Sequence, residues 1–393
     1  MTLSKANKTI IICSIFICLI VWGGLTMMLS LSTFLILKLL ILMLEIHLLY
    51  RYRQRDILSK PIFELFLVWI GVTLVRSFSD INGKESMTFF IENATSLLAF
   101  TCVLMFNDLN YVKEYFRIYF KYGVPLFLLL SFFMLPGCWG WFLCPVYLCV
   151  ILQGQLKRKW RILFLFLLLM SFYDIDTRAN LMRAAAAFVC FLVLNLRHMV
   201  NLTLLCKIGS LTFLIVPIIL LILGVSGRFN VFEIGADKED NLYADTRTLV
   251  YQEVIMSSVR HDYVLNGRTF ASGYDSVFQE QFQKKAGTAV RTSEVSACNI
   301  FTWMGIIGLL LYFMVYVASI YHSVFKSNND YIKVLGLFLA FRWLMAFVED
   351  VNGFDTVNFS IIIVISLCLN RCIVYMNNNE FENTLKSITN NFK

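Results

Sequence analysis

Residues 205–225 have the sequence LCKIGSLTFLIVPIILLILGV, and residues 298–325 have the sequence CNIFTWMGIIGLLLYFMVYVASIYHSVF. Lys207 is the single Lys, Arg, Asp or Glu in either stretch. A helix of about twenty apolar residues spans the roughly 30 Å hydrocarbon core of a bilayer. Between the two stretches, residues 226–297 hold eight Lys or Arg and ten Asp or Glu. The pattern predicts two transmembrane helices joined by a long loop in water.

Similar apolar blocks recur along the whole chain. Hydrophobic residues make up 59% of the 393 positions and charged residues 15%, whereas a soluble domain has about a quarter charged residues. We predict an all-α integral membrane protein with about twelve transmembrane helices. The predicted spans are 9–23, 25–50, 62–78, 87–106, 117–135, 138–153, 161–173, 178–196, 205–225, 298–325, 332–349 and 356–376. Residues 1–225 then hold helices 1–9, 226–297 form one extracytoplasmic loop between helices 9 and 10, 298–376 hold helices 10–12, and 377–393 form a loose cytoplasmic tail.

The basic residues predict the orientation of these helices. The net charge is +8, but Lys and Arg lie between apolar blocks, in every second gap, so we expect no nucleic-acid partner. The positive-inside rule places those gaps and both termini in the cytoplasm, and residues 226–297 outside. The eleven cysteines include no CxxC or Cys/His spacing, so we predict no metal site. The first apolar block has no small-residue cleavage site, which indicates a retained helix.

The long loop contains helical patterns of its own. Asp245 is placed to cap a helix that begins near Thr246. A second short helix is predicted at Tyr274–Lys285, where Phe278 and Phe282 are four residues apart.

Ionisable residues at membrane depth are functional candidates by default. Asp174, Arg178 and Arg183 cluster at the predicted outer end of helices 7 and 8; the alternative is an interfacial Asp–Arg pair that only holds a loop. A guanidinium fork matches phosphate oxygens, so we also consider the loop arginines Arg247, Arg260, Arg268 and Arg291, with solvated surface positions as the alternative. Arg247 lies in the first turn of a predicted helix, whose free amides also attract anions.

Glu294 is the acid or base candidate of the loop, with a helix-capping role as its alternative. If helix 10 is continuous, Glu294 lies about three turns before Gly305. His261 is a weaker candidate base, since its neighbours Arg260 and Asp262 indicate an exposed face.

Three further groups have mainly structural interpretations. Arg342, with Glu349 and Asp350, is expected to pair with another helix. Lys38 and Glu45 are seven residues apart and are expected to make a similar contact. The segment Gly305–Gly308 is expected to allow close helix packing.

Three motifs in order resemble the O-antigen ligase/polymerase superfamily of bacterial envelope glycosyltransferases. They are Thr177-Arg178-Ala179-Asn180, then Arg247-Thr-Leu-Val-Tyr251 followed by Asn266-Gly267, and finally Glu294 eleven residues before Gly305-Ile-Ile-Gly308. The resemblance covers roughly residues 161–325. Ligases carry a histidine followed by asparagine where this chain has Glu294, so the chain looks most like a repeat-unit polymerase, and the identity of its base stays open.

The resemblance implies a metal-independent glycosyltransferase without a cofactor, in the bacterial inner membrane. Its substrate would be an undecaprenyl-pyrophosphate-linked oligosaccharide, and a chain-length regulator and a flippase are partners that such a polymerase could have. The implied catalytic residues are Glu294, Arg247 and Arg178. We add as substrate-binding candidates Arg183, Arg291, Arg260, Tyr251, Asn299 and Asp174.

Three rival functions remain at this point. One is an O-antigen ligase, and another is a membrane protein without chemistry. The third is a flippase or transporter of lipid-linked oligosaccharide, which would more often have helices broken near the midplane. The sequence alone does not reveal such a break.

Overall fold

The computed structural model describes residues 5–22, 31–134, 136–152, 158–173, 178–225, 246–276 and 290–389. Its helices in the first half are α1 (Lys5–Trp22), α2 (Leu31–Tyr52), α3 (Lys60–Ser77), α4 (Lys84–Leu98), α5 (Cys102–Phe106), α6 (Leu109–Ile118), α7 (Val124–Leu130), α8 (Trp139–Phe142) and α9 (Cys144–Ile151). Those in the second half are α10 (Arg158–Met170), α11 (Arg178–Asn195), α12 (Leu202–Val225), α13 (Thr246–Arg260), α14 (Ser296–Ile320), α15 (Asp330–Met345), α16 (Thr356–Leu369), α17 (Arg371–Tyr375) and α18 (Asn378–Thr389).

Six helical segments of the described chain are long and apolar enough to cross a membrane. They are Thr33–Tyr52, Lys60–Asp80, Lys84–Phe106, Arg178–Asn195, Leu202–Ile222 and Ser296–Lys326. Helix α16 is equally apolar but shorter. The all-α membrane class of the sequence prediction therefore holds, while twelve crossings stay a prediction.

Hydrophobic periodicity explains how these helices are arranged. Along α12, the exposed residues Ile208, Leu211, Ile215, Ile219 and Ile222 follow the three- and four-residue spacing of one helix face. This apolar stripe is suited to lipid, and the helix packs against α15. Every residue of α16 is buried, which makes it the central helix of the bundle.

Two sets of connecting segments meet at two ends of the bundle. At one end, hydrogen bonds link Asn180 to Gly137, Thr356 to Trp141, Ser296 to Asp350 and Arg76 to Asn266. At the other, they link Asn107 to Asp56, Asn370 to Asn107, Ser327 to Val374 and Lys333 to Thr203. These are the two sets that the charge pattern separates. We call the first the loop end, because residues 263–276 of the long loop lie there.

Two sequence predictions about local structure are wrong. Residues Tyr274–Asp275 form a short strand, β1, which pairs antiparallel with β2 (Val290–Arg291), so no helix begins at Tyr274; the rest of the predicted helix, residues 277–285, lies outside the described residues. The tail expected to be loose contains α18 instead. The Asn377 side chain accepts from the Glu380 amide and the Glu380 side chain accepts from the Asn377 amide, a capping box that starts the helix. Phe381, 2% exposed, then anchors α18 to the bundle.

Candidate functional site

Helix α14 is broken at Gly305, where the backbone has φ 67° and ψ −170°. Only glycine adopts this region readily. A Cβ atom added at Gly305 would lie 2.1 Å from the carbonyl oxygen of Leu265, because residues 263–268 of the long loop pack directly against the break. The amide of Ile306 donates to the Val264 carbonyl at 2.9 Å. The premise of a continuous helix from Glu294 to Gly305 is therefore wrong, because α14 begins at Ser296 and is broken at Gly305. The chain does contain a helix break that the sequence did not reveal.

The backbone groups freed by this break find partners within the protein. The indole N–H of Trp69 on α3 donates to the carbonyl of Met304 at 3.0 Å. The amide of Arg268 donates to the Thr302 carbonyl at 2.7 Å. Gly267, at φ 71°, lets the two backbones touch. The break is thus a close packing site, as Gly305–Gly308 was expected to be, but with a loop rather than with a helix.

Helices α3 and α4 hold the same loop segment from the other side. The guanidinium of Arg76 donates to the carbonyl oxygens of residues 266–268 at 2.7, 2.9 and 3.1 Å. The Asn93 side chain donates to the Phe270 carbonyl at 2.9 Å, and the Phe270 amide donates to Ser77. Phe270 itself is fully buried. Part of the long loop is therefore inserted into the loop end rather than lying free in water.

A polar cavity of about 230 Å³ lies at this end. Its lining comes from α1, α2, α4, α14, the segment before α14 and the α15–α16 connection: Ile17, Lys38, Glu92, Asn93, Ser96, Thr292, Trp303, Asp350, Asn352, Gly353, Phe354 and Asp355. Lys38 and Glu92 form an ion pair at 3.1 Å. Lys38 therefore makes the expected structural contact with another helix, whereas Glu45 is buried elsewhere without a hydrogen-bond partner among the described residues.

Two buried donors of this lining lack a protein partner. Trp303 and Asn352 are each 2% exposed, and neither the indole N–H nor the Asn352 amide nitrogen has a hydrogen-bond partner in the described part of the chain. Buried donors are normally satisfied. Both residues also line the cavity.

Two carboxylates of the lining sit in the α15–α16 connection. Burial raises the pKa of Asp355 to about 6, against the opposing effect of the Asn358 and Val357 amides. Burial also raises the pKa of Asp350. Asp350 accepts from Ser296 and from Asn299, both at 2.9 Å.

Asn299, a predicted substrate ligand, instead organises the start of α14. Its side chain accepts from the amide of Ser293 at 2.7 Å and donates to the carbonyl of the same residue at 2.8 Å. With Asp350, this arrangement fixes the chain just after Thr292, which lines the cavity.

A buried ion cluster lies close to these carboxylates. Glu349 is 3.1 Å from Arg183 and 3.4 Å from Arg342, and all three residues are at most 5% exposed. Arg183 also donates to Asn180 at 2.6 Å and lies over the Trp141 ring. Arg342 was expected to pair with another helix, but its ion pair is with Glu349, which follows α15 in the same segment; Glu349 in turn pairs with Arg183 on α11. Arg183, a predicted substrate ligand, has its charge paired inside the protein.

The remaining predicted residues are dispersed around the loop end. Arg178 is exposed at the first residue of α11, and Arg260 is exposed at the last residue of α13. Glu294 is exposed and lies two residues before the start of α14 and two residues after Thr292. Tyr251 on α13 donates to the Phe347 carbonyl at 2.6 Å.

Three predicted residues have side chains outside the described part of the chain. Arg247 lies in the first turn of α13, as predicted, and Arg291 lies on β2. Nothing of their side chains is described. Asp174 lies outside the described residues altogether.

A second polar cluster lies in the long loop and corrects the interpretation of Arg268 as a surface arginine. Arg268 donates to both oxygens of Asp275, at 3.2 and 2.8 Å. His261 contacts the same carboxylate at 2.5 Å, and Ser257 donates to it at 3.2 Å. Burial raises the pKa of Asp275, but the hydrogen bond and charge of Arg268 outweigh it, so the net pKa is lowered. This cluster ties α13 to β1.

The sequence interpretation missed the cavity residues Lys38, Glu92, Trp303 and Asp355. One signal was available, since Glu349, Asp350 and Asp355 are three carboxylates between two apolar helices, where ionisable groups are functional candidates. Lys38 and Glu92 carried the same signal, because they lie within the predicted spans 25–50 and 87–106, but nothing in the sequence showed that the two side chains meet.

The described geometry is that of an α-helical protein with helices able to cross a membrane, and with a polar cavity at one end. No family model, curated protein or solved structure matches this chain.

Proposed function

We propose that this protein is a membrane glycosyltransferase of the repeat-unit polymerase type. It would transfer a growing glycan from undecaprenyl pyrophosphate to the sugar of another lipid-linked repeat unit, at the outer face of the bacterial inner membrane. The product would be an O-antigen, capsule or similar surface polysaccharide. This orientation follows from the charge pattern, which makes the loop end the outer end.

The observation that best supports this proposal is the polar cavity at the loop end. Its carboxylates, amides and unpartnered indole N–H supply both acceptors and donors, which is what sugar hydroxyl groups require. Arg178 is exposed at the same end, within the group of segments that includes Gly137 and Asn180. Cations there suit the negative charge of a pyrophosphate leaving group.

The proposed reaction needs no redox partner. The oxygen of an acceptor hydroxyl attacks C1 of the donor sugar, and the bond between C1 and the phosphate oxygen breaks. The pyrophosphate leaves with the electron pair and stays on the lipid, stabilised by Arg178 and Arg247. A carboxylate takes the hydroxyl proton, and Glu294 is the residue that the family resemblance favours for this step.

The test uses purified protein in detergent micelles, with lipid-linked repeat units extracted from a strain that lacks the gene. Wild-type protein should convert single units into a ladder of longer glycans on a gel. Glu294→Gln tests the base that the resemblance favours: a loss of about a hundredfold or more would assign the proton to Glu294, and a smaller loss would leave it to another carboxylate. Protein that inserts and folds but never lengthens these units would refute the polymerase function.

A transporter of the same lipid-linked sugars is the second candidate, because α14 is broken at Gly305 and transporters often bind substrate at broken helices. A micelle has no second compartment. Chain extension in micelles therefore requires an enzyme, whereas a transporter would move labelled lipid-linked sugar across a liposome membrane without lengthening it.

A further inference from the structure

The cavity lining offers a specific set of groups to a small polar ligand. Trp303 and Asn352 line the cavity, and each carries a donor without a hydrogen-bond partner among the described residues. Glu92 is already paired with Lys38. Asp350 is occupied by the side chains of Ser296 and Asn299 and by the amide of Asn352.

Asp355 differs from the other carboxylates of this lining. Its described hydrogen-bond donors are backbone amides at the start of α16, with Asn358 at 3.0 Å. A carboxylate has about four lone-pair positions, so Asp355 keeps acceptor capacity for a ligand. It is 8% exposed and lies on the cavity wall.

We propose that this cavity binds one sugar ring of the acceptor, and that Asp355 accepts the proton of the attacking hydroxyl group. The inference rests on the proposed glycan transfer, assigns its acceptor site, and gives to Asp355 the proton-accepting step for which the family resemblance favours Glu294. The proton moves from the hydroxyl oxygen to a carboxylate oxygen of Asp355 as the new bond to C1 of the donor sugar forms. Trp303 and Asn352 donate to other oxygens of the acceptor ring and hold it in place.

The electrostatics of the site suit this role. A base works best when its pKa lies near the operating pH, and burial raises the pKa of Asp355 to about 6. The amides of Asn358 and Val357 and the charge of Arg183 lower this pKa, whereas the charge of Asp350 raises it. A pKa raised in this direction brings Asp355 closer to the range in which a carboxylate acts as a general base near neutral pH.

The alternative is a purely structural role, in which Asp355 only caps α16. Asparagine caps helices about as well as aspartate, so Asp355→Asn preserves the cap and removes the proton acceptor. Asp108 provides the matched control, because it caps α6 at the opposite end and accepts from the Asn110 amide. Asp108→Asn makes the same chemical change far from the cavity.

The assay measures chain extension in micelles for four proteins: wild type, Asp355→Asn, Asp108→Asn and Glu294→Gln. We expect Asp355→Asn to lower the extension rate by about a hundredfold or more, with its thermal unfolding temperature unchanged, and Asp108→Asn to be as active as wild type. The wild-type rate should fall below about pH 6, and this acidic limb should be absent from the residual activity of Asp355→Asn.

A second variant keeps the test decisive if Asp355→Asn fails to fold. Trp303→Phe retains an aromatic ring and removes the N–H donor, so it should raise KM for the acceptor more than it lowers kcat. Extension by Asp355→Asn within twofold of wild type, with Glu294→Gln inactive, would overturn the inference and assign the base to Glu294. Trp303→Phe with an unchanged KM would overturn the acceptor site. A wild-type protein that extends nothing refutes the proposed function itself.

Discussion

Replacing Gly305 with alanine tests the feature on which the loop end depends. The backbone there lies in a region that is nearly exclusive to glycine, and forcing another residue into it costs about 1–3 kcal/mol. The added Cβ would also sit 2.1 Å from the Leu265 carbonyl oxygen, so residues 263–268 must move away from α14.

This movement breaks the hydrogen bonds from Ile306 to Val264 and from Arg268 to Thr302. Each is worth about 1 kcal/mol net. Strain and lost bonds together give roughly 3–5 kcal/mol against the inserted conformation. This free energy should shift the equilibrium from the inserted toward the released loop by about a hundredfold to several thousandfold, at 1.4 kcal/mol per factor of ten.

Hydrogen exchange measured by mass spectrometry on protein in micelles reports this equilibrium directly. We expect amides in residues 263–271 to exchange faster in Gly305→Ala by a factor of that order, while α16 exchanges as in wild type. Gly71→Ala is the control, since its Cβ would meet nothing within 4 Å, and alanine should stabilise a helix interior by up to about 1 kcal/mol. Unchanged exchange at 263–271 in Gly305→Ala would refute the packing argument.

Three further predictions follow from the charges. A reporter active only outside the cytoplasm should be active when fused after residue 285 and silent after residue 326, and the reverse pattern would overturn the orientation. Arg178→Lys and Arg247→Lys keep the charge but lose the planar fork, so each should reduce chain extension strongly in micelles; full activity in both would leave pyrophosphate recognition to other residues. The pKa of Asp275 is lowered in the folded protein. Asp275 therefore stabilises the loop fully above its unfolded-state pKa, near 3.9, and this stabilisation is lost as the pH falls through the lower folded-state pKa. Limited proteolysis of the loop should therefore accelerate only below about pH 4, and acceleration already at pH 6 would contradict this.

The membrane class was predictable because it depends on long apolar blocks, which are recognised even when a helix boundary is misplaced by a few residues. Helices α13 and α11 are present where the sequence predicted helices, from Thr246 and Arg178 onward among the described residues. The charge pattern also separated the connecting segments into the two groups that meet at the two ends. These features are local in sequence or depend on alternation along it.

The cavity could not be predicted in the same way. Lys38 and Glu92 lie on different helices, and Asp355 is far from both along the chain. Helical spacing suggested that Lys38 shares a face with Glu45, but spacing within one helix does not say which neighbouring helix covers that face. The capping box at Asn377 and Glu380 was visible in the sequence, yet the asparagine-rich composition pointed to a loose tail.

The break in α14 also bears on the choice between enzyme and transporter. In transporters with broken helices, the freed backbone groups coordinate the substrate or its coupling ion. Here those groups are occupied by the protein: the Met304 carbonyl accepts from Trp69, and the amide of Ile306 donates to Val264. The segment that fills the break is also held by Arg76 through three carbonyl oxygens. A break filled in this way holds the loop against α14, and the backbone groups named here already have partners within the protein, which favours the proposed stationary reaction site over alternating access.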